Sequence, residues 1–369
     1  MNEKRHINAA FSTDLLETMG WSTFFQTHLD HICDTAQALA RVVGVRKNSF
    51  IISQGKEDRL VTAAGRLHHQ GEGLYPVVGD WVLVDDAVIT AVIPRRNALA
   101  RGTAGSRGKQ DALPRQGQVL AANLDTVFVV CGLDRDFNLR RIERYLTLVY
   151  NCALNPVIVL TKADLHADPE TFVHQAEAIA IDVPVHMISA KEMDGISQLE
   201  TYLSRGRTIT LMGSSGAGKS TLVNRLYGKP VQATSSISDR IGKGMHTTTS
   251  RDLIMMPQGG MLIDNPGIRE ISFWDIDGGV EIAFPEIEVL ASECRFSDCS
   301  HLHEPGCRIR RALAEGEIAS DRLESYHKMK RELQYLADRQ HKSANRVEKE
   351  RWKSVATTVK AIKKSKWQK

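Results

Sequence analysis

The apolar positions of this 369-residue chain follow a succession of different rhythms. In residues 1–35, Leu15, Leu16 and Met19, then Phe24, Phe25 and Leu29, recur at roughly helical spacing and predict a short helical leader with no evident chemistry. From 36 to 100 the pattern becomes short β-rich runs ("ALARVVGVRKNSFII", "RLVTAAGRL", "YPVVGDWVLVDDAVITAVIPR") broken by Gly, Pro and Asp. Such runs predict a small barrel, and a five-stranded, OB-like β-barrel is the economical choice. Residues 101–120 begin "RGTAGSRGKQDALPRQGQ", with Arg101, Arg107, Lys109 and Arg115 and no hydrophobic period, and predict a basic flexible linker.

Between 121 and 285 uninterrupted apolar runs alternate with helical stretches: "TVFVVCGL", the amphipathic "LRRIERYLTLVY", "PVIVLTKADL", a helix around 169–180, "VPVHMISAK", a helix near 195–204, and "TITLMGSSGAGKSTLVNRL". Strands apolar on both faces, each followed by a helix, predict a doubly wound, mostly parallel sheet. In 286–369, Leu323, Tyr326, Met329, Leu333 and Leu336 recur at helical spacing and predict a helix packed on the Cys-rich segment before it. The chain thus reads as a multidomain α/β protein: an N-terminal β-barrel, a central doubly wound domain and a C-terminal metal-binding helical domain.

Composition narrows this picture without changing it. A hydrophobic content of 42% and a charged content of 25% suit globular domains, and neither an N-terminal apolar core of a signal peptide nor a run of about 18 apolar residues occurs. A cytoplasmic protein is expected, with no membrane association. The net charge of +4 is mild, but Lys342–Lys369 carries ten Lys/Arg against Glu348 and Glu350, which calls for a polyanionic partner. Trp352 and Trp367 in that stretch can stack exposed bases, so RNA is the expected polyanion.

The sharpest chemical signal is "GSSGAGKST". Gly213, Gly218, Lys219 and Ser220 satisfy G-x-x-x-x-G-K-[ST] between an apolar strand and a helix. Glycines let the backbone wrap closely, so N–H groups from Gly213, Ser214, Ser215, Gly216, Ala217, Gly218, Lys219, Ser220 and Thr221 can face phosphates; Lys219 reaches the β/γ oxygens and Ser220 binds Mg²⁺. The base is selected elsewhere. Asp164 of "TKAD" can accept from guanine N1–H and N2–H₂, whereas adenine offers no such donor pair. Thr161, Lys162 and Ala163 flank it, Lys162 lying along the base, and "SAK" (Ser189, Ala190, Lys191) brings the Ala190 N–H to O6. In "MLIDNPG", Asp264 suits a Mg²⁺ contact and the Gly267 N–H the γ-phosphate. One of Thr247, Thr248 and Thr249, with Thr248 preferred, can close on Mg²⁺ as a switch residue.

These residues, in the order TKAD, SAK, GSSGAGKS, threonine run, DNPG, resemble the circularly permuted GTPases, in particular the ribosome small-subunit-dependent GTPase (RsgA/YjeQ) family. The resemblance covers nearly the whole chain apart from the leader. It implies a GTPase that binds the 30S subunit and 16S rRNA, acts late in subunit assembly and is stimulated by the subunit. Two positions depart from the usual motifs. Thr161 replaces Asn of N-K-x-D, predicting one weaker side-chain contact to the base or phosphate loop, and Asn265 replaces Thr of D-T-P-G. Where small GTPases often place a water-orienting Gln this chain has Ile268, and His246, where the family places a histidine, is the candidate catalytic replacement.

"CRFSDCSHLHEPGC" gives Cys294, Cys299, His301 and Cys307, a set that makes a closed tetrahedral site for one structural Zn²⁺; His303 is an alternative ligand by spacing. No stretch signals an oligomer interface, so a monomer is expected. Two other readings stand beside the GTPase: an RNA-binding assembly protein that holds GTP as a structural ligand, and an ATPase or nucleotide kinase, which Asp164 and "SAK" oppose.

Overall fold

The structure is a computed structural model, and it describes residues 13–32, 37–69, 75–101, 118–230, 251–264 and 279–341. His246, Thr247, Thr248, Thr249, Asn265, Gly267, Ile268 and the basic stretch 342–369 lie outside the described residues.

The leader forms helices α1 (Thr13–Thr18) and α2 (Thr23–Ile32). Strands β1 (Ala38–Val45), β2 (Phe50–Ser53), β3 (Asp58–Ala63), β4 (Trp81–Asp85) and β5 (Val88–Val92) follow, with helix α3 (Gly65–His69) after β3. Their order β1-β2-β3-β5-β4, with β4 pairing back on β1, closes the expected five-stranded barrel; β3 and β5 are parallel and every other pair is antiparallel. Strand periodicity explains why β1 is buried on both faces. Ala40 and Val42 point into the barrel with Phe50, Ile52 and Ile89, while Leu39 and Val43 point out into the main core.

Arg41 lies on that outward face, 1% exposed. It donates to Gly79 O of the barrel (3.2 Å), to Met19 O of the leader and to Thr208 Oγ1 of the sheet beyond (3.1 Å). Burial lowers its pKa to about 10, which leaves it charged at neutral pH. A buried cation satisfied by three different segments ties them to one geometry.

Strands β6 (Ala98–Arg101) and β7 (Gln118–Ala122) pair antiparallel, so Arg101 and Gln118–Leu120, read from sequence as linker, sit in a ladder. The central sheet holds β8 (Thr126–Gly132), β9 (Asn155–Thr161), β10 (Val185–Met187), β11 (Thr208–Met212), β12 (Arg251–Met255) and β13 (Met261–Asp264) in the order β10-β9-β8-β11-β13-β12. Only β12 is antiparallel to its neighbour in this set. Helices α4 (Leu139–Asn151), α5 (Glu170–Glu177), α6 (Ile196–Glu200) and α7 (Lys219–Tyr227) fill the connections. Alternation along β8 sends Val127, Val129 and Cys131 to the α4 face and Phe128 and Val130 to the face shared with α6 and α7, giving one core on each side of the sheet.

Strand order reverses between β8 and β11. The chain runs β8, β9, β10 to one edge, then returns through α6 to β11 beside β8. A sheet is specified by which strands are adjacent, so the phosphate-loop strand can stand in the middle of the chain without disturbing the crevice. At the other edge β12 pairs with β1 (Gly44↔Asp252, Val45↔Arg251), and Arg46 bridges to Asp252 at 2.6 Å, joining barrel and sheet into one eleven-stranded ladder.

Helices α8 (Gly279–Ala283), α9 (Pro285–Ser292), α10 (Arg308–Glu315) and α11 (Ser320–His341) complete the described fold. Leu323, Tyr326 and Met329 of α11 are buried as the helical stripe predicts, in one apolar cluster with Cys307 of the Cys-rich segment and with residues of α4 and α8, and Cys294 and Cys299 pack against that cluster. Thr147 Oγ1 of α4 lies 3.2 Å from Met329 Sδ, and the Phe284 and Tyr326 rings meet edge-on at 5.7 Å. Between residues 294 and 307 only Cys307 is buried, so the loop's own share of that cluster is small. Arg322 of α11 is held between Glu143 of α4 (2.7 Å) and Glu286 of α9 (2.8 Å), over the Phe284 ring. Among the described residues no helix is long and apolar enough to cross a membrane.

Candidate functional sites

The C-terminal ends of β8, β9 and β11 converge at the point where strand order reverses, the place where open α/β sheets bind ligands. The loop after β11 presses on β8: Gly213 has φ +157°, and a Cβ there would lie 2.3 Å from Val130 O. Gly218, at φ +89°, passes under Thr161 and opens α7. The Lys219 ammonium folds back onto Gly213 O (2.8 Å) and Ser214 O.

β9 ends beside this loop. Thr161 Oγ1 donates to Ala217 O at 2.7 Å, so the side-chain tie to the phosphate loop expected to weaken without Asn is made by the hydroxyl. Lys162 adopts φ +64° and spans Asp134 Oδ2 and Gly216 O, both at 2.6 Å. Its ammonium holds the Asp134 carboxyl below the ordinary range. Asp164 accepts from Ser189 Oγ at 2.8 Å, with Lys191 Nζ 3.9 Å from its other oxygen, and Arg225 donates to Ala190 O at 2.8 Å. TKAD and SAK, 25 residues apart at the serine–aspartate bond, thus form one rim. Asp264 ends β13, which runs parallel to β11, on the far side of the phosphate loop from β8.

Two carboxylates escaped the sequence reading. The turn after β8, "LDRDFN", places Asp134 on Lys162 and Asp136 on the Ser214 hydroxyl. Aspartates at a strand's C-terminal end before an Asn-capped helix were the available signal; Asn138 caps α4 through Arg141 N–H at 3.0 Å.

The second site is the Cys/His loop. The ligand atoms of Cys294, Cys299, His301 and Cys307 all lie within 4.8 Å of one another. Cys294 Sγ is 3.9 Å from Cys307 Sγ, and His301 Nδ1 is 3.6 Å from each of these two sulfurs. A tetrahedral Zn²⁺ with ordinary Zn–S and Zn–N bonds requires about 3.8 Å between sulfurs and about 3.6 Å between sulfur and nitrogen, so the donor set fits. The exposed His303 is outside the cluster. Glu304, also missed, shapes the turn: its carboxylate accepts from the N–H groups of Ser300, Leu302 and His303 at 3.1, 3.2 and 3.1 Å, and the Ser300 hydroxyl beside it pushes its pKa well down.

Comparison with known proteins agrees with this geometry. The RsgA GTPase family model matches residues 92–274. The small ribosomal subunit biogenesis GTPase RsgA of Opitutus terrae is 42% identical over 359 residues, covering 92% of this chain and 95% of the relative. That of Methanosarcina acetivorans is 44% identical over 298 residues, 79% of each chain. Among solved structures, YjeQ from Thermotoga maritima has a TM-score of 0.59 at 30% identity, over 80% of this chain and 98% of that one. YloQ, a circularly permuted GTPase, shares the fold with a TM-score of 0.55 at 22% identity, over 81% and 95%.

Proposed function

Since this chain belongs to the RsgA GTPase family, we propose that it hydrolyses GTP in the crevice between β8 and β11 and acts on the small (30S) ribosomal subunit late in its maturation. The observation that carries the chemistry is the convergence of the phosphate loop, Asp164 and Ser189–Lys191 at one end of the four adjacent parallel strands β10-β9-β8-β11. Asp164 reads guanine N1–H and N2–H₂, the Ala190 N–H takes O6, and the Lys219 ammonium leaves the loop carbonyls for the β/γ oxygens. The Gly267 N–H serves the γ-phosphate.

Ser220, Asp264 and Thr248 offer the hydroxyl and carboxylate oxygens that suit Mg²⁺, which supplies charge neutralisation on the phosphates when bound with GTP. Cys294, Cys299, His301 and Cys307 hold one structural Zn²⁺; the distances among three of their ligand atoms favour it. His246 orients the attacking water in place of the missing Gln, and turnover is slow in the free chain and faster when a partner is bound. A His246→Ala chain as active as wild type, both free and on the subunit, removes that role.

The relatives' names support the small subunit as partner. The basic residues of 342–369 favour 16S rRNA as the contacted polyanion, with the barrel and the C-terminal region as contact surfaces. The chain acts as a cytoplasmic monomer. GTP and ATP hydrolysis measured with and without purified 30S subunits test the whole reading. Strong stimulation of GTP turnover is expected. Absence of stimulation favours GTP as a structural ligand, and preference for ATP overturns both.

A further inference from the structure

The turn after β8 has a role of its own in the nucleotide crevice. Asp136 lies where the strand order reverses, across from the phosphate loop, and its side chain is 12% exposed. Its Oδ1 accepts from the Ser214 hydroxyl and from Arg141 Nη1 at 2.5 Å, and its Oδ2 from the Gly132 N–H at 3.2 Å. Asp134 Oδ1 in turn accepts the Asp136 N–H at 3.0 Å and fixes the turn.

We propose that Asp136 is a positioning residue for the phosphate loop, holding Ser214 so that the loop keeps its phosphate-binding shape; the proposal rests on the nucleotide reading above. The argument begins with charge. A bare carboxylate beside a phosphate cradle opposes an anionic ligand, and a half-buried one is poorly screened. Arg141 removes that objection by ion-pairing with Asp136, and the Asn138 side chain, accepting the Arg141 N–H, fixes the first turn of the helix that carries it. What remains is a strong, oriented acceptor with little net charge.

The second step concerns Ser214 itself. In the described state the residue is held on both sides, its carbonyl by Lys219 and its hydroxyl by Asp136. When the Lys219 ammonium turns to the β/γ oxygens it gives up that carbonyl. Asp136 then keeps Ser214, and the close approach of Gly213 to Val130 keeps the loop's start, so the N–H groups need no rearrangement as the phosphates arrive. Asp136 touches neither base nor phosphate, so its effect falls on affinity.

The test is a fluorescent-GDP titration of full-length Asp136→Ala, Asp136→Asn, Ser214→Ala and the Asp136→Ala/Ser214→Ala double variant, with GTP turnover at saturation. Loss of a charge-assisted bond is expected to raise Kd about tenfold in Asp136→Ala and in Ser214→Ala, with kcat of Asp136→Ala within about twofold of wild type. The double variant binds no worse than the weaker single variant, because both remove one contact. Asp136→Asn, which keeps an acceptor for Ser214, binds within about threefold of wild type. Binding of Asp136→Ala equal to wild type, or losses that multiply in the double variant, overturn the proposal. Should Asp136→Ala fail to fold by circular dichroism, Ser214→Ala and Asp136→Asn decide: Ser214→Ala binding as tightly as wild type, or Asp136→Asn binding as weakly as Ser214→Ala, overturns the proposal, and a loss of about tenfold in Ser214→Ala with Asp136→Asn near wild type supports it. A wild-type chain that binds no GDP overturns the nucleotide reading instead, and this proposal with it.

Discussion

The nucleotide crevice and the Cys/His loop are both short, glycine-containing and rich in polar ligand atoms, yet they are held in opposite ways. The phosphate loop is strung between β11 and α7, whose Ile209, Leu211, Leu222, Val223 and Leu226 are buried, and its bends are pinned by Val130, Thr161 and Asp136. Packing fixes it before any ligand arrives. The Cys/His loop buries only Cys307 between 294 and 307, leaves Phe296 and Leu302 40% and 53% exposed, and has Glu304 as its internal tie. A preorganised site loses affinity when its side chains are changed, whereas a ligand-built site loses structure.

With the Zn²⁺ proposed above in the Cys/His loop, the largest effect should follow its removal. Chelation, or Cys294→Ser, is expected to open residues 294–307 to proteolysis, since structural zinc supplies about 10–16 kcal/mol in peptides of this kind. GDP affinity should stay within about twofold, because no crevice residue comes from that loop. An unchanged cleavage pattern after chelation breaks the contrast from this side.

Lys219→Ala probes the other side. GTP turnover should fall at least about 100-fold, while the melting temperature moves by no more than about 2 °C, the crevice being held by packing. A large drop in melting temperature would show the crevice to be ligand-built too.

The junction between the two regions is sharpened by Arg322→Met. It leaves the Glu143 carboxylate, 4% exposed, without its cation and should cost about 3 kcal/mol in denaturant unfolding. Adding Glu143→Gln should return most of that loss, because the penalty is the stranded charge rather than the missing bond. The smallest effect is Thr161→Ala, which removes the bond to Ala217 O. It should weaken GDP binding by about 1 kcal/mol, about fivefold, with unfolding nearly unchanged.

Much of the fold was legible because its rhythms are local. The double-faced apolar runs marked the parallel strands, and the short β-rich runs broken by Gly, Pro and Asp marked the barrel. The C-terminal stripe was legible only in part. Leu323, Tyr326 and Met329 marked a helix correctly, but helical spacing says only that a face is buried, not against which partner, and α4 proved to offer much of the surface. The site divided in the same way. Thr161 looked like a loss against an Asn motif, yet a hydroxyl on this backbone reaches the same loop.

By itself the sequence determined what neighbouring residues can decide together: the glycine spacing of the phosphate loop, the four soft ligands within fourteen positions, and the order of strands and helices. Bond geometry links such residues whatever the rest of the chain does. Only the tertiary structure decided that Asp136 meets Ser214 across 78 residues, that Arg322 meets Glu143 across 179, and that Arg41 joins leader, barrel and sheet. Those pairs lie on elements whose meeting is set by which apolar faces are buried together, and no local pattern records that choice.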